Sequence, residues 1–274
     1  MISTPIRRYG AAILMLLTMA FSGEVLAKTH TDTTSKKAHV IKTTSSKVSS
    51  KQEYSRNSAK SSSLPDLRKY PSGTPRKKAF LRTVMPYITS QNAAITAERN
   101  WLISKQYQGQ WSPAERARLK DIAKRYKVKW SGNTRKIPWN TLLERVDIIP
   151  TSMVATMAAA ESGWGTSKLA RNNNNLFGMK CMKGRCTNAP GKVKGYSQFS
   201  SVKESVSAYV TNLNTHPAYS SFRKSRAQLR KADQEVTATA MIHKLKGYST
   251  KGKSYNNYLF AMYQDNQRLI AAHM

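Results

Sequence analysis

From Ala79 to the end of the chain, apolar residues recur at the spacing of an amphipathic α-helix, and no alternating strand pattern lasts for more than about five residues. Two helix starts are marked locally. Ser112 is followed by proline and, three residues later, by Glu115, while Ser201 precedes Glu204 at the same spacing, which is the capping-box pattern. These signals predict a mostly helical domain. A further helix is predicted from about Asp233 to Leu245.

The helical pattern is interrupted between residues 172 and 198, where Asn, Gly and Lys dominate. Turn-forming residues flanking short apolar runs favour a small β-hairpin there. The predicted fold class is therefore α+β, with one mostly helical domain and a small β-hairpin lobe.

Basic residues outnumber acidic ones by 46 to 14, which gives a formal net charge of +32. Such a charge predicts a polyanionic partner. Hydrophobic residues make up 39% of the chain, which excludes full disorder. The two cysteines and five scattered histidines form no metal-ligand pattern, so neither a metal nor a cofactor is expected.

Residues 1–27 have the pattern of a cleaved secretory signal, with Arg7 and Arg8 before an apolar run and Val25 to Ala27 before the expected cleavage site. The apolar run, Ala11 to Phe21, spans 11 residues. An uncleaved anchor is the alternative, but a membrane-spanning helix needs about 20 apolar residues. Export argues against nucleic acid as the partner and leaves the anions of the cell envelope.

Residues 28–78 carry 13 basic and 3 acidic side chains, and 16 of the 36 residues from Lys28 to Ser63 are Ser or Thr. So few large apolar residues cannot offset the entropy of ordering. This segment is predicted to be a disordered basic tether for an anionic envelope surface, with a merely solvated tail as the alternative. Residues 79–139 are predicted to be a helical extension that supports or covers the site.

Cys181 and Cys186 are separated by four residues. In an oxidising compartment they are expected to close a tight loop as a disulfide; two buried free thiols are the alternative.

Ten acidic residues lie between residues 79 and 274, and Glu161 is the one that a structural role explains least. It follows a run of small and apolar residues, so it is expected at the C-terminal end of a buried helix. The helix dipole and desolvation beside Trp164 would both raise the pKa of its carboxyl group. A general acid for glycosidic cleavage needs that property, whereas a solvated helix-end glutamate is the alternative.

Four segments together resemble the endo-β-N-acetylglucosaminidases of bacterial cell walls, glycoside hydrolase family 73. The segments are 159–170 (AAESGWGTSKLA), 174–180 (NNLFGMK), 199–205 (FSSVKES) and 245–249 (LKGYS). The resemblance covers roughly residues 140–272, so the catalytic domain is assigned to 140–274. It implies a lysozyme-like fold and action on peptidoglycan glycan strands. With the predicted secretory signal, the expected location is the periplasm. It does not indicate an oligomeric state.

The resemblance also implies roles for individual residues. Glu161 matches the general acid and Tyr248 an active-site tyrosine. Trp164, Asn175 and Phe177 match residues that shape the substrate cleft. Tyr255, which follows the last matching segment, is assigned as a substrate-binding residue. The alternatives are core packing for Trp164 and Phe177, packing at a helix terminus for Tyr248, and a loop amide for Asn175.

Family members often carry a second acidic residue, but the segment from Leu176 to Ser200 contains no Asp or Glu. The nearest carboxylate is that of Glu204, which the capping box explains. Substrate-assisted attack by the 2-acetamido oxygen needs only one protein acid. The alternative is an inactive or weakly active protein that binds peptidoglycan or another polyanion. An amidase is disfavoured because no metal-ligand set or Cys/His pair stands out.

Overall fold

The computed structural model describes residues 63–181, 186, 189–246, 248 and 252–274. The predicted signal at 1–27 and most of the predicted tether lie outside these residues. No helix within the described ranges is both long enough and apolar enough to cross a membrane.

The described residues form a mostly helical domain with nine α-helices. The helices are α1 (Thr74–Ser104), α2 (Pro113–Arg125), α3 (Trp139–Arg145), α4 (Thr151–Ser162), α5 (Lys168–Asn173), α6 (Val202–Thr215), α7 (Ser220–Lys231), α8 (Ala238–Met241) and α9 (Lys253–Ala271). Short 3-10 turns lie at Leu67–Lys69, Thr134–Lys136, Pro217–Tyr219 and Ile242–Lys244. The predicted helical character is confirmed.

Helix α4 forms the centre of the domain, and every residue from Met153 to Ala159 is buried. It packs against α1 on one side and α9 on another, and α1 also packs against α6. A helix that is apolar on all sides must be enclosed by other elements. The small residues at its C-terminal end allow these neighbouring helices to approach closely.

Both predicted helix starts are found. Ser112 caps α2 with a complete capping box, in which Glu115 accepts a hydrogen bond from the Ser112 N–H at 2.9 Å. At α6 the Ser201 hydroxyl accepts from the Glu204 N–H, but the Glu204 carboxylate instead accepts from the N–H and hydroxyl of Ser200. Glu204 is therefore used at a helix N-terminus, as the sequence predicts.

Two helical regions differ from the sequence analysis. Helix α7 was not predicted, because its buried positions include Arg223 and Arg226 and so show little apolar periodicity. A helix predicted from Asp233 to Leu245 is instead the short α8 followed by a 3-10 turn. Asp233 has a left-handed backbone, with φ 52°, so it follows the end of α7 rather than starting a helix.

The expected β-hairpin is reduced, in the described part of this segment, to two isolated antiparallel bridges, Lys180 with Tyr196 and Cys186 with Ser197. Side chains replace part of the strand ladder: the Asn173 amide pairs with both the N–H and the carbonyl of Val193. The predicted disulfide between Cys181 and Cys186 is present.

The described residues include 63–78, which the sequence analysis assigned to the tether. Leu64 and Leu67 are buried, and α1 starts at Thr74 rather than near Ala79. Pro75 lies in the first turn of α1, where a missing N–H costs nothing, so this proline opens the helix instead of breaking it.

A buried ionic cluster joins α1, the α3–α4 connection and α7. Asp147 is 1% exposed and accepts two hydrogen bonds from Arg230, at 3.0 and 3.2 Å. The guanidinium groups of Arg99 and Arg226 lie 3.6 and 3.7 Å from the same carboxylate. Arg226 also donates to the carbonyl groups of Glu144, Asp147 and Ile148, which fixes the chain just before α4.

Candidate active site

A cleft of about 510 Å³ opens beside the C-terminal end of α4. Its described walls come from α4, the loop after α5, α6, the turn after α6, and the start of α9. They consist of Glu161, Phe177, Gly178, Met179, Lys180, Cys181, Tyr209, Asn212, His216, Tyr219, Tyr248 and Tyr255. None of these described lining residues comes from 79–139. Helix α1, which lies mostly in that range, packs against α4 and α6.

Glu161 lies in the last turn of α4, as the sequence predicts. The helix stops at Gly163, which adopts a left-handed conformation with φ 57°. The buried Ser162 hydroxyl donates to the Ala158 carbonyl at 2.5 Å and accepts from the Gly165 N–H at 2.8 Å. These contacts tie the turn to the helix and fix the direction of Glu161.

The environment of Glu161 has two opposing effects. Burial raises the pKa of its carboxyl group, and the hydrogen bond donated by the Tyr255 hydroxyl to Oε1 offsets part of that rise. Its Oε2 faces Gly178, where a Cβ atom would lie only 3.3 Å away. Glycine at this position, with φ +63°, therefore lets the loop approach the second oxygen without a side chain against it.

Aromatic rings form most of the remaining wall. Tyr248 stacks on Tyr255 with ring centroids 5.6 Å apart, and Phe177 stacks on Tyr209 at 3.9 Å. Tyr219 lies 6.2 Å from Tyr248. Burial raises the pKa of Tyr248 well above its usual range, and the neighbouring Glu161 carboxyl group adds to the rise. These phenols thus stay protonated and can act as hydrogen-bond donors.

Four of the six predicted site residues meet in the cleft, namely Glu161, Phe177, Tyr248 and Tyr255. Trp164 does not line it. Its ring packs edge-to-face on Phe80, with centroids 5.6 Å apart, and lies under the ammonium group of Lys77 at 5.1 Å. The structure therefore gives Trp164 a packing role against α1, which was the alternative.

Asn175 is also away from the cleft surface, because its side chain is 1% exposed and fully engaged. Its amide nitrogen donates to the carbonyl groups of Met179 and Ser197, at 2.8 and 3.0 Å. Its amide oxygen accepts from the N–H groups of Phe177 and Met179. Asn175 thus shapes the loop that carries Phe177 and has no free group for an acetamido substituent.

Several cleft residues were not singled out from the sequence. Tyr209, Asn212 and His216 follow one another along one face of α6 and its end, at spacings of three and four residues. From this helical spacing, the sequence could have shown that the three side chains lie on one face. Lys180 and Tyr219 carried no such signal, because their placement depends on loop and turn geometry. Within the described residues, no three His, Cys, Asp or Glu side chains group as a metal site would require.

Comparison with known proteins identifies the class to which this architecture belongs. Residues 138–268 match the glucosaminidase family model, described as mannosyl-glycoprotein endo-beta-N-acetylglucosaminidase, and this range contains every cleft residue named above. The chain belongs to this family, which confirms the resemblance seen in the sequence.

A relative covers the chain from end to end. Over 274 residues, which is 100% of both chains, the protein is 94% identical to the protein called "Protein bax" of Escherichia coli strain K12. No solved structure matches this chain.

Proposed function

We propose that this protein is a peptidoglycan hydrolase that cleaves the β-1,4 glycosidic bond after N-acetylglucosamine. The observation that carries the proposal is the state of Glu161, a half-buried carboxyl group at the cleft whose pKa is raised by desolvation. Such a group retains its proton nearer to neutral pH than an ordinary glutamate does, as a general acid must. Membership of the glucosaminidase family supports the same chemistry.

The two oxygens of the Glu161 carboxyl group have different roles in the proposed reaction. Oε1 is held by the Tyr255 hydroxyl, so the acidic proton resides on Oε2, which faces the cleft beside Gly178. From there the proton passes to the glycosidic oxygen as the bond between this oxygen and C1 breaks. The protein then needs a group that stabilises the positive charge developing at C1.

That group is proposed to be the substrate's own 2-acetamido oxygen, since Glu161 is the one carboxylate among the described cleft residues. This oxygen attacks C1 and gives a bicyclic oxazolinium ion. Water then adds to C1 and gives a proton to the Glu161 carboxylate, which restores both the acid and the acetamido group. The protonated phenol of Tyr248 is proposed to hydrogen-bond the acetamido group during this step.

A glycan-binding protein without turnover is the second candidate. The segment from Leu176 to Ser200, which has no acidic residue, favours it, because many glycosidases need two carboxylates. The aromatic wall would serve binding equally well.

The compartment and the tether belong to this proposal as well. We infer that the protein acts in the periplasm, because the disulfide between Cys181 and Cys186 requires an oxidising compartment and the family's substrate lies there. The basic residues 28–62 would then hold the domain near anionic envelope surfaces.

The test is mass spectrometry of fragments released from purified peptidoglycan by the 28–274 protein, after borohydride reduction marks the new ends. The wild type is expected to release fragments with reduced N-acetylglucosamine termini. Glu161→Gln should release none while keeping its fold, and the exposed Glu235→Gln should behave as wild type. Wild-type protein that sediments with peptidoglycan but releases nothing would establish the binding alternative.

The stereochemical course tests the substrate-assisted step separately. Retention at C1 requires a new reducing end that is initially in the β configuration, which proton NMR of a fresh digest distinguishes from α. An initial α product would overturn the acetamido mechanism and require a second protein base.

A further inference from the structure

Lys180 is the one lysine or arginine among the described residues that line the cleft. Its ammonium group donates a hydrogen bond to the Tyr196 hydroxyl at 3.0 Å and lies 4.2 Å from the centroid of the same ring. Both contacts hold the charge in one place at the rim of the site.

The backbone of Lys180 is fixed as well. The Ser197 hydroxyl donates to the Lys180 carbonyl at 2.8 Å, and the neighbouring Cys181 N–H donates to the Gly195 carbonyl at 3.0 Å. The disulfide follows immediately. A lysine held in this way has already lost part of the side-chain entropy that binding a ligand would otherwise cost.

Inside the described structure, the positive charge of Lys180 contacts only the neutral phenol of Tyr196. Within that part of the chain it has no carboxylate partner, although Glu161 lines the same cleft. A cation paired with Glu161 would lower the pKa of the carboxyl group, whereas this pKa is raised. Tyr196 takes one of the three ammonium N–H groups, so two remain for a ligand.

We propose that Lys180 is a specificity residue that binds a carboxylate carried by the glycan strand. The inference rests on the proposed function and narrows its substrate class. A neutral polymer of N-acetylglucosamine offers no anion to this ammonium group. Peptidoglycan offers the lactyl carboxylate, where the stem peptide has been removed, or the carboxylates of the stem peptide. In either case a charge-assisted hydrogen bond selects the acidic strand over the neutral one.

The experiment compares wild type, Lys180→Gln and Lys180→Arg on three substrates: peptide-bearing glycan strands, denuded strands with free lactyl groups, and neutral N-acetylglucosamine oligomers. Lys180→Gln should lower kcat/KM on an acidic substrate about 3- to 10-fold, mainly through KM, with no change on the neutral oligomer. Lys180→Arg should retain most of the discrimination because it keeps the charge.

The substrates also identify the source of the carboxylate. A loss confined to denuded strands assigns the contact to the lactyl group, and one confined to peptide-bearing strands assigns it to the stem peptide. Tyr196→Phe keeps the ring but removes the hydroxyl, so it should give a smaller loss of the same kind. The matched control is Lys203→Gln, an exposed lysine outside the cleft, which corrects for the overall positive charge.

An equal loss on neutral and acidic substrates, or no loss on any, would overturn the assignment of Lys180. Failure of the proposed function is a different result, namely no turnover by the wild type on any substrate. The same variants are therefore also compared by the Kd for each oligomer, which reports the discrimination without hydrolysis.

Discussion

The Tyr255 hydroxyl donates a hydrogen bond to Oε1 of Glu161, across 94 residues of sequence. Tyr255 lies in the first turn of α9 and Glu161 in the last turn of α4, and these two helices pack against each other. The orientation of the acid therefore depends on the docking of the C-terminal helix.

We predict that Tyr255→Phe shifts the alkaline limb of the pH–rate profile to higher pH. The hydrogen bond stabilises the ionised carboxylate, so its removal raises the pKa of Glu161 further. A hydrogen bond to a charged group is worth about 1.5–3 kcal/mol, which predicts a shift of about one pH unit or more. The rate below that limb should also fall, because Oε1 is no longer held.

The control is Tyr258→Phe, which lies one turn further along α9 and is 54% exposed. It should leave the pH profile unchanged. An unshifted limb in Tyr255→Phe would mean that the limb does not report Glu161.

The raised pKa of Glu161 also predicts a trade-off between stability and function. The folded protein binds the proton of Glu161 more tightly than the unfolded chain does. In the unfolded chain the pKa of a glutamate is near 4.5. Stability is therefore lost as pH rises above this value, up to the pKa of the folded state. Glu161→Gln, which carries no charge, is expected to have a higher Tm than wild type at pH 7. The difference should vanish near pH 4, and thermal unfolding at both pH values measures it, with Glu235→Gln expected to show no such change.

Gly165 allows the segment before α1 to pack on the turn that follows Glu161. A Cβ atom at Gly165 would lie 2.6 Å from Cδ1 of Leu67, and the backbone there has φ +79°. We predict that Gly165→Ala destabilises the protein by about 1–3 kcal/mol, from overpacking and backbone strain.

A double-mutant cycle separates these two causes. Leu67→Ala alone creates a cavity and should cost about 2–5 kcal/mol. Combined with Gly165→Ala, the cost should be less than the sum of the two single changes, because the shortened side chain leaves room for the new methyl group. Strict additivity in chemical denaturation would show that strain at φ, and not the contact with Leu67, is responsible.

We predict that Asp147→Asn lowers the free energy of unfolding by about 3–5 kcal/mol. The change leaves the partly buried guanidinium group of Arg99 and the buried one of Arg226 without the only carboxylate that the described structure gives them. Asp121→Asn is the matched control, since its side chain is 62% exposed in a surface pair with Arg125. It should cost no more than about 1 kcal/mol, and a similar cost for both variants in denaturant titrations would contradict a special role for the buried cluster.

Features that depend on contacts between nearby residues could be predicted from the sequence, whereas features that depend on long-range contacts could not. The starts of α2 and α6, the end of α4 at Gly163 and the position of Glu161 on that last turn were all predictable, because each depends on contacts within about four residues. The disulfide between Cys181 and Cys186 was predictable for the same reason.

Helix α7 and Asp147 show where the local signal fails. The buried face of α7 includes Arg226, which lies 3.7 Å from the Asp147 carboxylate, and Arg223, which lies 3.7 Å from the Glu144 carboxylate. Both partners come roughly 80 residues earlier in the chain, so the face does not appear apolar in the sequence. Burial of a charged side chain depends on its partner, and a sequence pattern does not contain that pairing.

The sequence alone determined the helical class, the family and the place of Glu161 at a helix end, because these depend on periodicity, caps and a short run of residues around Glu161. The tertiary structure decided which side chains share the cleft with it. It brought Tyr255 to Oε1 and Lys180 to the rim, and it placed Trp164 against α1 and Asn175 inside a loop. A ring that is packed inside the protein, or an amide whose hydrogen bonds are all made there, has no free group for a substrate. Which side chains are occupied in this way depends on residues far away in the sequence, so only the tertiary structure decides it.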